Sequence, residues 1–347
     1  MPVATLKLNA VQVTAFAAFG LVMGVWLKRR IPLLDWLNIP APIAGGLVYA
    51  LLVLALRDRY VNFDMDMVLR DILMVAFFTS IGMNASLKLV RTGGVQVLWF
   101  FAIATAGAVL QNALGIALAK LLSVDPLLGL VSGSVALTGG PATALAFGGT
   151  FEAMGVEGAT ALGLASATFG ITAGGVLGGY IGGSLIRRRG LKGAAGGREE
   201  AAVRVADAVE SPLMTNVIAM AIAMGLGSVL SAWFTQIGWK LPAYVGAMMV
   251  AGVIRNLDDH FHFARIGPEQ VETIGDISLN LFIVMAMMTL QLWQLAALAL
   301  PLLVLLFAQI LLVWVMCVLL VFYLMGRDYE AAVMSGGFCG FMLGTTA

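Results

Sequence analysis

Two stretches of this chain carry residues suited to hold a small ion. They are DPLLGLVSGSVALTGGPATALAFGG at 125–149 and DYEAAVMSGGFCGFMLGTTA at 328–347. Laid side by side, they pair Asp125 with Asp328, Ser132 with Ser335 and Thr143 with Thr346, always 203 residues apart. Each is apolar enough to enter a membrane, yet Gly, Pro, Ser and Thr interrupt it where a spanning helix would carry leucine. A helix broken inside a membrane offers free N–H groups and a partial positive charge to an anion, while unwound carbonyls and hydroxyls can coordinate a hard cation such as sodium. The expected substrate-binding set is therefore Thr138, Gly139, Gly140 and Thr143 from the first stretch, with Ser335, Gly336, Gly337, Gly340, Thr345 and Thr346 from the second. For glycine at such positions the competing reading is close helix packing.

Other polar residues extend the list. Ser132, Gln111, Asn112, Asp71 and Asp276 are candidate sodium ligands. Gln111 and Asn112 fall in mid-span, where an amide either bridges helices or reaches into a cavity. Asp71 and Asp276 occupy matched places and are read as lying in the first turn of their helices, where an acid complements the helix dipole. His260 and His262 have no acidic or cysteine companions at zinc-ligand spacing and read as loop histidines. Cys317 and Cys339 lie inside apolar segments and imply neither a disulfide framework nor a zinc site. No nucleophile, base and orienting acid fall into an enzyme's arrangement, and no cofactor is implied beyond a coupling ion.

The elements that must position these residues follow from composition. With 61% apolar and 11% charged residues and a mean hydropathy of +0.97, the chain reads as an all-α polytopic membrane protein. A net charge of +1 gives no basic face for nucleic acid. Spans are expected near 10–27, 40–56, 72–87, 95–122 and 158–186, then, after a polar linker at 187–212, near 213–236, 241–254, 273–293 and 296–325. The anchors Ile39-Pro40-Ala41 and Leu241-Pro242-Ala243 extend the internal repeat, so residues 1–186 form one repeat and 213–347 a second. The second re-entrant segment, from about 329, is cut short, and the natural protein is expected to continue by a helix or more. Gly170, Gly174, Gly178 and Gly182 lay a smooth stripe on one helix, read as static packing in preference to a sliding surface.

Charge orients the repeats. With the N-terminus outside, Lys28 to Arg30, Lys88, Arg91, Arg187 to Arg189, Lys192, Arg198, Arg204, Arg255, Arg265 and Arg327 all become cytoplasmic, out of 20 basic residues. An odd number of full spans per repeat then inverts the second relative to the first. The two re-entrant hairpins enter from opposite faces and bring their tips together near the midplane.

Long ordered blocks, including IPAPIAGGL at 39–47, NFDMDMVLRDILMVAFFTSIGMNASL at 62–87, QNALG at 111–115, SLNLFIVMAMMTLQLWQLAALALP at 278–301 and AAVMSGGFCGFMLG at 331–344, are similar to the bacterial sodium/glutamate symporters. This resemblance implies a ten-helix carrier of two inverted repeats in the inner membrane, a homodimer that takes up glutamate with sodium by an elevator-type movement. Two motifs depart from the family pattern. Pro141 and Ala142 stand where the family has His and Gly in the first hairpin, and Phe338 stands where it has His in the second. These departures keep a sodium-coupled carrier of di- or hydroxycarboxylates, or an antiporter, open as alternatives. A channel fits less well, since no ring of charges or carbonyl-lined filter motif is present.

Overall fold

The structure, a computed structural model, describes residues 3–88, 94–191, 213–239 and 241–344. Fourteen helices among the described residues, α1 to α14, form two bundles. The first bundle contains α1 (Ala10–Arg30), α3 (Ala41–Leu56), α4 (Val68–Asn84), α9 (Leu213–Gln236), α10 (Ala243–Phe261) and α11 (Pro268–Met288). The second contains α5 (Gly94–Leu121), α6 (Pro126–Val135), α7 (Gly140–Ala153), α8 (Ala159–Arg189), α13 (Ala299–Leu324) and α14 (Tyr329–Leu343). Two short helices, α2 (Pro32–Trp36) and α12 (Leu292–Ala297), lie in connections. Six helices, α1, α5, α8, α9, α11 and α13, are long and apolar enough to cross a membrane.

Local chemistry sets the helix starts. Asn9 and Gln12 form a reciprocal capping box at α1. Pro40 and Pro242 precede α3 and α10, where a missing N–H removes no helical bond. Asp125 accepts the Leu127 N–H at the start of α6, and Asp328 accepts the Ala331 N–H at the start of α14, each at 2.8 Å. The paired aspartates thus share one local job.

Inside the first bundle, glycine lets backbones touch. A Cβ on Gly24 of α1 would strike the Ala41 carbonyl and the Gly45 N–H of α3. A Cβ on Gly227 of α9 would strike Gly246 and Ala247 of α10 in the same manner. Across the halves, Gly46 of α3 abuts Met287 of α11, and Gly82 of α4 abuts Met248 of α10. The bundles join through apolar surface: Ala142, Leu145 and Ala146 of α7 share a core with Phe78, Tyr244 and Phe282 of α4, α10 and α11. One polar link between them is the Thr172 hydroxyl of α8, which donates to the Leu37 carbonyl at 2.7 Å.

The all-α expectation holds with one small addition, and two further expectations need correction. A two-stranded parallel sheet, β1 (Ala4–Leu8) with β2 (Val61–Met65), accompanies the helices. Its strands run parallel because the up-and-down pair α1 and α3 returns the chain to the face it left. α8 continues through Arg189 to a left-handed Gly190 (φ 60°), so Arg187 to Arg189 close a helix and do not open the linker. The rest of the 187–212 linker, from 192 on, lies outside the described residues, as does Arg91. Finally, α11 starts at Pro268, so Asp276 sits in its third turn and not its first. The proline at N1 fixes the helix start upstream of the apolar run from which the span was read.

Candidate functional site

α6 does not run straight. Gly133 has φ −89° and ψ −134°, outside the helical region, and the chain passes through a π-helical turn at Val131–Val135. The break releases the Ser134 N–H from the helical ladder, and Asn112 of α5 receives it. The Asn112 Oδ1 accepts the Ser134 N–H at 3.0 Å and the Ser134 hydroxyl at 2.8 Å. Within a membrane such a gap persists only if a neighbour restores the bond. Asn112 is therefore the brace of the broken helix.

Beyond the break, the chain turns at Thr138 and Gly139, whose N–H groups both reach the Ser134 carbonyl, at 3.1 and 2.9 Å. Gly140 takes φ +72°, a left-handed conformation that a side chain would resist. Pro141 then opens α7 within its first two positions, and no side chain caps the helix. The departure from the family pattern at Pro141 is thus compatible with the helix start. Two short helices joined at a left-handed glycine make a hairpin whose tip presents the N-terminus of α7, with Thr143 in its first turn and half-buried.

A knot of amides surrounds this tip. The Thr138 hydroxyl donates to Gln111 Oε1 at 2.8 Å. Gln111 Nε2 donates to the Met342 carbonyl of α14 at 3.0 Å, and the Met342 sulfur lies 3.9 Å from the Thr138 oxygen. Gln309 of α13 donates to the Gln111 carbonyl at 2.7 Å. Four elements, α5, the hairpin, α13 and the end of α14, are tied here by neutral polar groups, with Gln111 and Gln309 fully buried. Gln309 was missed in the sequence, although a single amide within the apolar run LVLLFAQILLVWV was a readable signal.

The second stretch behaves differently. α14 is one unbroken helix from Tyr329 to Leu343, ending at Gly344 with φ +142°, so its glycines do not interrupt it. They pack instead. A Cβ on Gly336 would come 2.7 Å from the Gly178 carbonyl, and one on Gly174 would come 3.5 Å from Gly340. The α8 stripe of Gly170, Gly174, Gly178 and Gly182 is the surface against which α14 lies. Ser335 is buried and donates to the Ala331 carbonyl at 2.8 Å; Ser132, its partner in the repeat, donates to the Leu128 carbonyl at 2.9 Å. Gly337 faces open space, with nothing within 4 Å of its would-be Cβ. Thr345 and Thr346 lie outside the described residues.

A cavity of about 530 Å³ opens between the bundles beside α7. Its polar lining is Arg70, Asp71, Thr150, Glu152, Thr160, Thr289 and Gln291. Asp71 holds two nitrogens of Arg70 at 2.9 and 2.8 Å, and Glu152 accepts the Thr160 N–H at 2.9 Å, capping α8. Leu145 and Ala146, one turn along α7 from Thr143, reach the cavity; the tip residues are not among its lining. Asp276 is far from this grouping in role as well as sequence: it is exposed, and its carbonyl accepts from Asn280 at 2.8 Å. His262 follows α10 and contacts the Asp258 carbonyl at 3.2 Å, and the described residues hold no cluster able to bind a transition metal.

Comparison with known proteins agrees with the resemblance. A family model described as sodium/glutamate symporter matches residues 6–347. Sodium/glutamate symporters of Escherichia coli and Shigella flexneri are each 36% identical over 344 residues, covering 95% of this chain and 84% of the relative. The sodium/glutamate symporter of Haemophilus influenzae is 31% identical over 344 residues, covering 96% and 85%. With a family match spanning the hairpin, the amide knot and both bundles, this chain belongs to the sodium/glutamate symporter family.

Proposed function

We propose that this protein is a secondary carrier that couples sodium entry to glutamate uptake across the bacterial inner membrane. The observation that carries this reading is the alignment with curated sodium/glutamate symporters over 344 residues. The geometry adds a site to it. The N-terminus of α7, uncapped and opened by Gly140, offers N–H groups and a partial positive charge to a carboxylate, with Thr138 and Thr143 beside it. The neutral oxygens of the knot suit a hard monovalent cation. In this reading Gln111 is close to the ion, Asn112 and Ser132 support the broken helix, and Asp71 with Arg70 lines the approach. Ser335, Gly336 and Gly340 hold α14 in place, and Thr345 and Thr346 are kept as candidate substrate ligands.

The working architecture is two inverted repeats, 1–186 and 213–347, each with one re-entrant segment, at 125–149 and from about 329. Exchanged packing supports it. Gly46 meets Met287 while Gly82 meets Met248, and these contacts interchange under the repeat, which pairs Gly46 with Met248 and Gly82 with Met287. The first bundle is the frame and the second the moving unit of an elevator, sliding on the apolar surface around Phe78 and Tyr244. The N-terminus lies outside, with Lys28 to Arg30, Arg187 to Arg189, Arg255 and Arg327 cytoplasmic, and the assembly is a homodimer through the frame.

Each sodium entering with the potential supplies ~2.3 kcal/mol per 100 mV, enough in combination to draw an anion inward against that same potential. The test is uptake of labelled glutamate into proteoliposomes under an inward sodium gradient, a potassium gradient, or none. Accumulation is expected with sodium alone. Uptake indifferent to sodium would overturn the reading, and preferential uptake of a dicarboxylate would favour the alternative substrate class.

A further inference from the structure

Gln309 is fully buried, and only half of its amide is used. Its Nε2 donates to the Gln111 carbonyl at 2.7 Å, which fixes the orientation of the group. Its Oε1 is buried and has no hydrogen-bond partner. An oxygen deprived of water and of any donor is an unfavourable state that a buried amide normally avoids. The amide that carries the orphan is tied to α5: its Nε2 bonds the Gln111 carbonyl and lies 3.4 Å from the would-be Cβ of Gly115. The Gln111 carbonyl that holds Gln309 is 3.1 Å from the would-be Cβ of Gly133, and Asn112 Oδ1 is 3.0 Å from it. Gln111 and Asn112 therefore bring two carbonyl-type oxygens to one non-helical glycine, and Gln309 is hydrogen-bonded to the first of them.

We infer that Gln309 Oε1 is a ligand of the coupling sodium, which sits at the Gly133 break against oxygens of Gln309 and Gln111. The inference rests on the sodium-coupled reading above and deepens it by naming a ligand. Hard monovalent cations are matched by neutral amide and carbonyl oxygens. Every side chain of the knot, Gln111, Asn112, Ser134, Thr138 and Gln309, is an amide or an alcohol, so the knot has no group that gains or loses a proton near neutral pH. A proton is thus a poor fit for this position and a metal cation a good one. Uncharged ligands also bind weakly enough to release the ion on the cytoplasmic side.

Two substitutions separate the oxygen from the N–H. Gln309→Leu removes both, whereas Gln309→Glu keeps an oxygen at Oε1 and loses the donor to Gln111. Sodium activation of glutamate uptake is measured in proteoliposomes, and sodium against potassium stabilisation is measured by thermal unfolding of the purified proteins. The sodium concentration for half-maximal uptake is expected to rise about tenfold or more in Gln309→Leu. In Gln309→Glu it is expected to stay near that of the parent or fall, and sodium-specific stabilisation is expected to persist. If Gln309→Leu does not fold, the Gln309→Glu unfolding comparison decides alone. The inference is overturned if Gln309→Leu keeps the parental sodium dependence, or if Gln309→Glu loses sodium-specific stabilisation. A parent whose uptake ignores sodium would overturn the coupling reading itself, and a parent that needs sodium while Gln309→Leu matches it would overturn only the ligand.

Discussion

Ser132-Gly133-Ser134 and Ser335-Gly336-Gly337 stand 203 residues apart and begin alike, yet one breaks its helix and the other does not. Both serines bond the carbonyl four residues back, so the hydroxyl is not the cause. The difference lies in the neighbours. Asn112 waits beside Ser134 with an acceptor for the released N–H, while the corresponding residue of the second half, Val315, is apolar and exposed. Without an acceptor, Gly337 keeps its place in a straight helix. Gly336 is also committed elsewhere, because its backbone is pressed against Gly178. Glycine thus permits a break in both places, and the surroundings choose.

That comparison can be broken at its strongest point first. Gly336→Leu should force α14 away from α8 and cost about 3 kcal/mol or more, as overpacking of a close contact does. The check is folded yield on size exclusion, and a well-folded variant of parental thermal stability would deny that the Gly178 contact holds the helix straight. Asn112→Leu comes next. It leaves the Ser134 N–H and hydroxyl without their acceptor, at about 2 kcal/mol, and should abolish uptake by removing the hairpin's shape. Normal uptake by this variant would refute the bracing role.

Smaller effects sharpen the contrast. Ser132→Ala and Ser335→Ala should each cost no more than about 1 kcal/mol in thermal unfolding, and nearly the same amount, because both hydroxyls bond their own helix. A large asymmetry would mean that one of them has a second partner. Gly337→Ala should stabilise by about 0.5 kcal/mol through helix propensity, since open space surrounds it. Gly336 and its neighbour would then respond with opposite signs, one residue apart.

Part of the arrangement was legible. The repeat marked the broken stretch at 125–149, where the chain leaves the helix at Gly133, and singled out Ser132 and Ser335, both of which are buried, because period and composition record where a helix can fail. Gln111 and Asn112 were read as either bridging helices or reaching into a cavity, and each hydrogen-bonds across to another element near the tip. Gln309 escaped because the repeat pairs it with Ala106, an apolar residue, so symmetry gave no hint. Asp276 was misplaced within its helix because hydropathy marks the apolar run and not the proline that begins the coil of bonds upstream of it. The glycine stripe of α8 was visible, but its partner was not.

By itself the amino-acid order determined the membrane class, the six long apolar helices, the helix starts at Pro40 and Pro242, and the twofold internal repeat. Those properties are local: they depend on apolar length, on caps and on the period of the chain. Only the tertiary structure decided which glycine segment breaks, which glycines pack, and that Gln309 joins the hairpin tip. Each of these depends on what a distant helix offers to a released N–H or an unpartnered oxygen. In a membrane, where water cannot serve as the substitute partner, that offer is the deciding free energy.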